Sequence, residues 1–250
     1  MASVSNKSVP IESVLLNNVD HHDLKIRPGS AGETGSAVNQ VLVLPTEFEA
    51  VQREFPIILR EDSQGKIRPV ALLGLAQGQN AFLDAAGNWT SAHVPLMVQR
   101  GPFSIVAPEH GNGDPMIQVD LADPRLSREE GAPLFLPHGG QAPYLQKMAD
   151  VLRAIWLGHQ LLDPMVAAFS AAGLLRPVNL ELRTGEHEVF AIANAITVDR
   201  ERLAGLDGAA LEKLNREGFL QSAFMIAASL GNVQALVNRH AARLAMAAAA

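Results

Sequence analysis

Cysteine is absent from the 250 residues, which excludes disulfides, thiolate metal sites and a cysteine nucleophile. The same absence fits a reducing compartment. Lys/Arg clusters are also missing, and the net charge is −6 with a pI near 5.7. Nucleic-acid binders carry a basic face, so no nucleic-acid partner is expected. The longest candidate membrane stretch, Ala223 to Val237, is interrupted by Ser229, Gly231, Asn232 and Gln234. A spanning helix needs about 20 predominantly apolar residues, so no membrane span is expected. The first 26 residues hold no apolar core of signal-peptide length, and the expectation is a soluble, cytoplasmic protein. No G-x-S-x-G elbow, P-loop or strand-coupled G-x-G-x-x-G is present, and "GNG" at 111–113 reads as a turn. Serine hydrolysis and the familiar nucleotide chemistries are disfavoured. No internal repeat of fixed period is found.

What remains is an ordinary globular composition, with 48% hydrophobic and 18% charged residues, enough to bury a core rather than stay disordered. The first half reads as strands. "NQVLVLP" (39–45) has strand length, and "EFEAVQREFP" gives one or two helical turns halted at Pro56. The stretch 55–75 is a hairpin around Gly65, and "NAFLDAAGNWTSA" repeats that arrangement with a turn at Asp84 to Gly87. "FSIVAP" and "DPMIQVDL" complete a meander of five or six strands. Residues 122–143 form a Pro/Gly-rich loop. Beyond it a helix runs from Tyr144 to Leu162, with Met148, Leu152 and Ile155 on one face. Asp163-Pro164 restarts a second helix that ends at Gly173. A hairpin around Gly185 follows, then a helix capped by Asp207 and stopped at Gly218, and a last helix from about Phe219 towards Leu244. The predicted class is α+β: an antiparallel meander, then a mainly helical half with an inserted β-hairpin. One domain is expected over residues 1–250, β-rich to 121 and helical from 144.

Aromatics are scarce, with nine Phe, two Trp and a single Tyr, yet residues 78–105 crowd Phe82, Trp89 and Phe103 beside Asn80, His93, Pro95 and Arg100. Aromatic and Arg side chains suit a binding surface because they bury large areas and offer oriented donors. Packing within a meander explains Trp89 and Phe103 equally well. Arg100 is different, because a charge in an apolar run needs water or a partner. His21-His22-Asp23 contains the His-x-Asp spacing of two non-haem iron ligands. A distal His93, His110 or His138 would have to complete the set. The bland reading is a polar loop, and no metal or cofactor is assigned. "GEHEV" (185–189) pairs Glu186 with Glu188 across His187, which reads as a solvated hairpin tip. His159 and Trp156 fall near the apolar stripe of their helix and read as half-buried packing.

Several blocks together resemble one family. They are "LPTEFEAVQREFPIIL" (44–59), "ALLGLAQGQNAFLDAAGNW" (71–89), "GAPLF" (131–135), "LLRPVNLEL" (174–182), "ITVDRERLAGLDGAALEKLNREGFL" (196–220) and "SLGNVQALVNR" (229–239). In this order they are similar to the SapC family of bacterial proteins. The family pattern places Tyr where this chain has His93 and Gly101, and Arg where it has Gln99. Trp89, Pro95, Arg100, Pro102 and Phe103 match it.

The resemblance implies no established reaction. It implies a part in surface-layer biogenesis or in a small-molecule or peptide modification system, beside outer-membrane receptors, halogenase-like flavoenzymes and cupin-like oxygenases. The expected role is a non-catalytic binding or accessory protein with a protein or peptide partner. Its candidate contacts are His22, Trp89, His93, Arg100 and Phe103. The alternative is a metal-dependent oxygenase-like enzyme built on His22, Asp23 and a distal His.

Overall fold

The computed structural model describes residues 13–27, 38–107, 115–184 and 188–248. In chain order the strands are β1 Ser13–Leu15, β2 Lys25–Ile26, β3 Gln40–Leu42, β4 Ile57–Glu61, β5 Ile67–Leu72, β6 Phe103–Val106, β7 Met116–Asp120, β8 Leu126–Ser127, β9 Ala132–Pro133, β10 Leu175–Thr184 and β11 Glu188–Val198. The helices are α1 Phe48–Val51, α2 Leu96–Gln99, α3 Pro143–Ala171, α4 Arg200–Ala204, α5 Gly208–Arg216, α6 Leu220–Ser229 and α7 Val233–Ala248. Single 3-10 turns at Pro45–Glu47 and Leu230–Asn232 precede α1 and α7. Antiparallel sheets in the first half and helices in the second make the class α+β, as expected.

The chain divides into two compact units, residues 1–29 with 100–153, and residues 30–99 with 154–250. In the first unit, β7 lies between β1 and β6, and β2 lies between β8 and β9. The strands β8 and β9 fall inside the stretch read as a loop. Two-residue strands leave too little periodicity to be seen in a sequence. Phe103, Val119, Leu134 and Leu145 are buried here.

The second unit carries a five-stranded antiparallel sheet in the order β10-β11-β4-β5-β3. The β4–β5 hairpin forms as read from sequence. Asp62 Oδ1 accepts from the Gln64 and Lys66 N–H groups, and Gly65 takes φ +76° at the turn. These bonds, led by that from Lys66, hold the Asp62 carboxyl below its ordinary value. The expected second hairpin, by contrast, shrinks to one bridge between Leu83 and Trp89. Asp84 Oδ1 binds the Ala86 and Asn88 N–H groups. That Asx geometry closes the loop without flanking strands.

The restart expected at Asp163-Pro164 does not occur, and α3 continues through Pro164 for 29 residues. Proline inside a helix costs about 3 kcal/mol. Leu162, Met165 and Phe169 are buried to 2%, 0% and 0% exposure, and each such burial contributes roughly 1.5–3 kcal/mol, so packing wins. Asp163 is drawn to Arg68 at 2.5 Å instead of capping a helix. The Arg68 hydrogen bond, chiefly, holds its carboxyl below the ordinary value.

Asp207 does cap α5, accepting from the Ala210 N–H at 2.8 Å. The last helix is in fact two. Residues Leu220–Ala245 reach the length and mean hydropathy of a membrane-crossing segment by composition, but the 3-10 turn at Leu230–Asn232 divides them. Ala223, Ile226, Leu236 and Val237 from the two helices sit in the core. Ser229 explains the break. Its Oγ accepts from the Ile57 N–H at 2.9 Å and donates to the Ile226 carbonyl at 2.7 Å. Asn232 Nδ2 donates to the Gln52 carbonyl at 2.8 Å.

Gly158 lies where α3 passes Leu44 and Thr46. A Cβ there would stand 2.7 Å from both Leu44 Cβ and Thr46 Oγ1, and Thr46 is itself tied to the Ala154 carbonyl. Alanine would gain about 1 kcal/mol in helix propensity, against about 1–3 kcal/mol of overpacking and the loss of the Thr46 bond. Gly158→Ala is therefore expected to lower the denaturant midpoint. Gly208→Ala, where a Cβ meets nothing within 4 Å, should leave the midpoint unchanged or raise it. Equal midpoints for Gly158→Ala and wild type would show that the contact is not close-packed.

Candidate functional site

Glu47 ends the 3-10 turn that follows β3, and its side chain is only 2% exposed. Burying a carboxylate is costly unless its lone pairs are met. Here they are met three times. Oε1 accepts from the Leu44 N–H at 3.2 Å, and Oε2 accepts from the Leu96 N–H at 2.9 Å. Oε2 also lies 2.9 Å from His93 Nε2. Because Leu96 opens α2, the carboxylate also serves as the cap of that turn. Glu54, one turn beyond α1, binds the Ala92 N–H at 2.8 Å and the His93 N–H at 3.4 Å through Oε1. Two acids thus fix the segment 91–96 from beneath, and Ser91 Oγ donates to the His93 carbonyl at 2.7 Å.

The neighbouring residues of the crowded stretch are mainly structural. Asn80 is buried, with Oδ1 accepting from the Phe82 N–H at 2.9 Å. Phe82 packs against Phe55 with ring centroids 4.3 Å apart. The Arg239 guanidinium lies over the Phe82 ring, 4.6 Å from the centroid. Trp89 is half-buried against the second unit's core, and its Nε1 is shielded without a partner. Trp89 and His93 belong to the second unit, whereas Arg100 and Phe103 belong to the first.

In the first unit Phe103 is fully buried, with the Tyr144 ring 6.3 Å away. Arg100 donates through Nη1 to the Phe103 carbonyl at 3.0 Å, while its Nε is buried and unpartnered. Burial, and then the nearby Arg125 charge, lower the Arg100 pKa. Arg125 behaves oppositely. Asp123 grips it through two oxygens, at 2.8 and 2.6 Å, and this raises its pKa against the cost of burial. Burial pushes the Asp123 carboxyl up, but the Arg125 side chain and N–H together hold it below its ordinary value. Burial raises the Tyr144 phenol.

The triad built on His22 does not assemble. His22 is exposed, with Nδ1 3.1 Å from the Val19 carbonyl. Asp23 is paired with Arg128. His21, not His22, is the buried member, and its Nδ1 accepts from the Asn17 N–H at 3.2 Å. His138 is exposed on a turn, and His110 lies outside the described residues. Among the described residues no three His, Asp or Glu side chains group to hold a metal ion. Glu186 and His187 also lie outside the described residues. His159 is exposed, because the buried face of α3 runs through Leu152, Ile155 and Leu162.

The sequence does not single out Glu47, Glu54, Arg125 or Tyr144 as site residues. A glutamate beside a helical turn carries no sequence mark of burial. Arg125 and Tyr144 lie in or beside the stretch taken for a loop.

The SapC family model matches residues 16–236. No curated protein and no solved structure matches the chain.

Glu47→Ala would leave the Leu44 and Leu96 N–H groups without an acceptor, at roughly 1–3 kcal/mol for each buried donor. Chemical denaturation should therefore show a loss of about 2–6 kcal/mol. Glu49→Ala, which removes only an exposed pair with Arg53, should stay within about 0.5 kcal/mol. Similar losses for the two variants would refute a central role for Glu47.

Proposed function

The chain belongs to the SapC family, and from that premise we propose that it is a non-catalytic binding or accessory component. The system it serves is a bacterial surface-layer or small-molecule or peptide modification system. The observation that carries this reading is the saturation of Glu47. A general base must be free to take a proton from a substrate. Glu47 instead has three donors on its two oxygens, and Glu54 is occupied with two N–H groups.

The result is a segment presented rigidly, with Ala92 exposed at its tip. Rigid presentation suits recognition, because little ordering entropy remains to be lost when a partner docks. A protein or peptide partner is the occupant that the family context favours.

Photo-crosslinking tests this in the producing bacterium, with benzoylphenylalanine replacing Ala92 in the full chain. The expected result is a discrete adduct with a surface-layer component or a modification enzyme, weakened when Glu54→Ala removes the acceptor of the Ala92 and His93 N–H groups. Absence of any adduct from position 92 would overturn the proposal. So would one-to-one Fe(II) or Zn(II) binding that disappears in His22→Ala.

A further inference from the structure

The first unit holds two arginines around one turn, and among the described residues only one of them, Arg125, has a carboxylate partner. Residues 100–103 form that turn, closed by the Phe103 N–H to the Arg100 carbonyl at 3.0 Å. Gly101 sits in it at φ +55°. A Cβ on Gly101 would stand 3.3 Å from Arg125 Nη1 and 3.5 Å from its central carbon, so the glycine leaves room for the Arg125 guanidinium against the turn. Arg125 spends Nε and Nη2 on Asp123. The side chains of this pair are 16% and 10% exposed, so Asp123 is a committed counter-ion and not a free one.

Arg100 has no such partner among the described residues. Among the described residues its side chain makes one hydrogen bond, from Nη1 to a neutral carbonyl. Nε is covered by the protein's own atoms, which leaves Nη2 and the second Nη1 hydrogen, the end-on fork that matches a carboxylate in two parallel bonds. Nε is already shielded from water, and a buried donor left unmet is a standing cost. One surplus positive charge remains at the turn, with the Tyr144 ring packed beside it against Phe103.

We propose that Arg100, backed by Arg125 and bordered by Tyr144, is a binding site for a monoanionic carboxylate. The carboxylate takes the Nη1/Nη2 edge of Arg100, and its single charge balances the unmatched guanidinium. A phosphate dianion would leave one negative charge in excess. A peptide C-terminus and a small organic acid share this chemistry, and the half-buried Tyr144 ring suits an apolar group beside the carboxylate. The proposal deepens the binding reading above and rests on it only in taking Arg100 as a contact. The Ala92 crosslink does not depend on Arg100. Loss of carboxylate binding with crosslinking intact would defeat this inference alone.

The test follows the arginine Nε–H resonances of the full chain by NMR as benzoate, sulfate, or a tripeptide with free or amidated C-terminus is added. Saturable benzoate binding with a shift of the Arg100 Nε–H is expected. It should weaken about tenfold or more in Arg100→Lys, which keeps the charge but loses the fork. Tyr144→Phe should keep binding and control for folding. Tighter binding of the free tripeptide than of its amide and of benzoate would identify a peptide terminus as the source, and benzoate alone would identify a small acid. No saturable carboxylate binding, equal affinity in Arg100→Lys, or tighter binding of sulfate than benzoate would each overturn the proposal.

Discussion

The buried carboxylate of Glu47 is the constraint around which the second unit's presented segment is arranged. Its three donors come from its own turn and from residues 93 and 96, so one side chain joins segments about 46–49 residues apart in sequence. The same turn carries Leu44 and Thr46, which fill the space that Gly158 leaves on α3. The exit of β3, the middle of α3 and the loop before α2 therefore meet at one node. A buried acid is tolerated there because its lone pairs are met, and it fixes a single arrangement because few others would meet them.

Much of the family resemblance is explained by similar demands. Gly74 of "ALLGL" would place a Cβ 2.0 Å from the Gln79 carbonyl oxygen, so the chain can fold back towards Asn80 only if that residue is glycine. Ser229 and Asn232 of "SLGN" meet the backbone of 52–57, where α1 gives way to β4. Such blocks keep two helices on the sheet and describe how the protein is held together. They leave binding to residues whose capacity is not consumed.

The arginines show where such capacity remains. Arg68 lies opposite Arg60 across the β4–β5 ladder, a repulsive placement offset by Asp62 and Asp163. Arg60 bonds Gln40 and the Ala193 carbonyl, where β11 carries Asn194 at φ +55°. Arg125 has Asp123. Arg60 and Arg100 both bury an unpartnered Nε, but Arg60 has two neutral acceptors and Arg100 only one among the described residues. Unmet charge in a half-buried position is what separates a binding group from a structural one.

The sequence by itself determined the elements whose signals are local. Alternation and a glycine turn wrote the β4–β5 hairpin, Asp207 wrote its helix start, and the ordered blocks wrote the family. It also singled out Arg100, because a charge in an apolar run stands out without any structure. Tertiary packing decided the rest. Pro164 stays inside a helix because Leu162, Met165 and Phe169 bury together, and no local rule weighs that against the proline. The 220–248 stretch breaks because Ser229 finds Ile57, 172 residues away. His22 and Asp23 part company because Asp23 meets Arg128, and Glu47 becomes a hub only when His93 and Leu96 arrive beside it. Spacing along a chain records which residues can share a face. Only the folded chain decides which donors reach which acceptors.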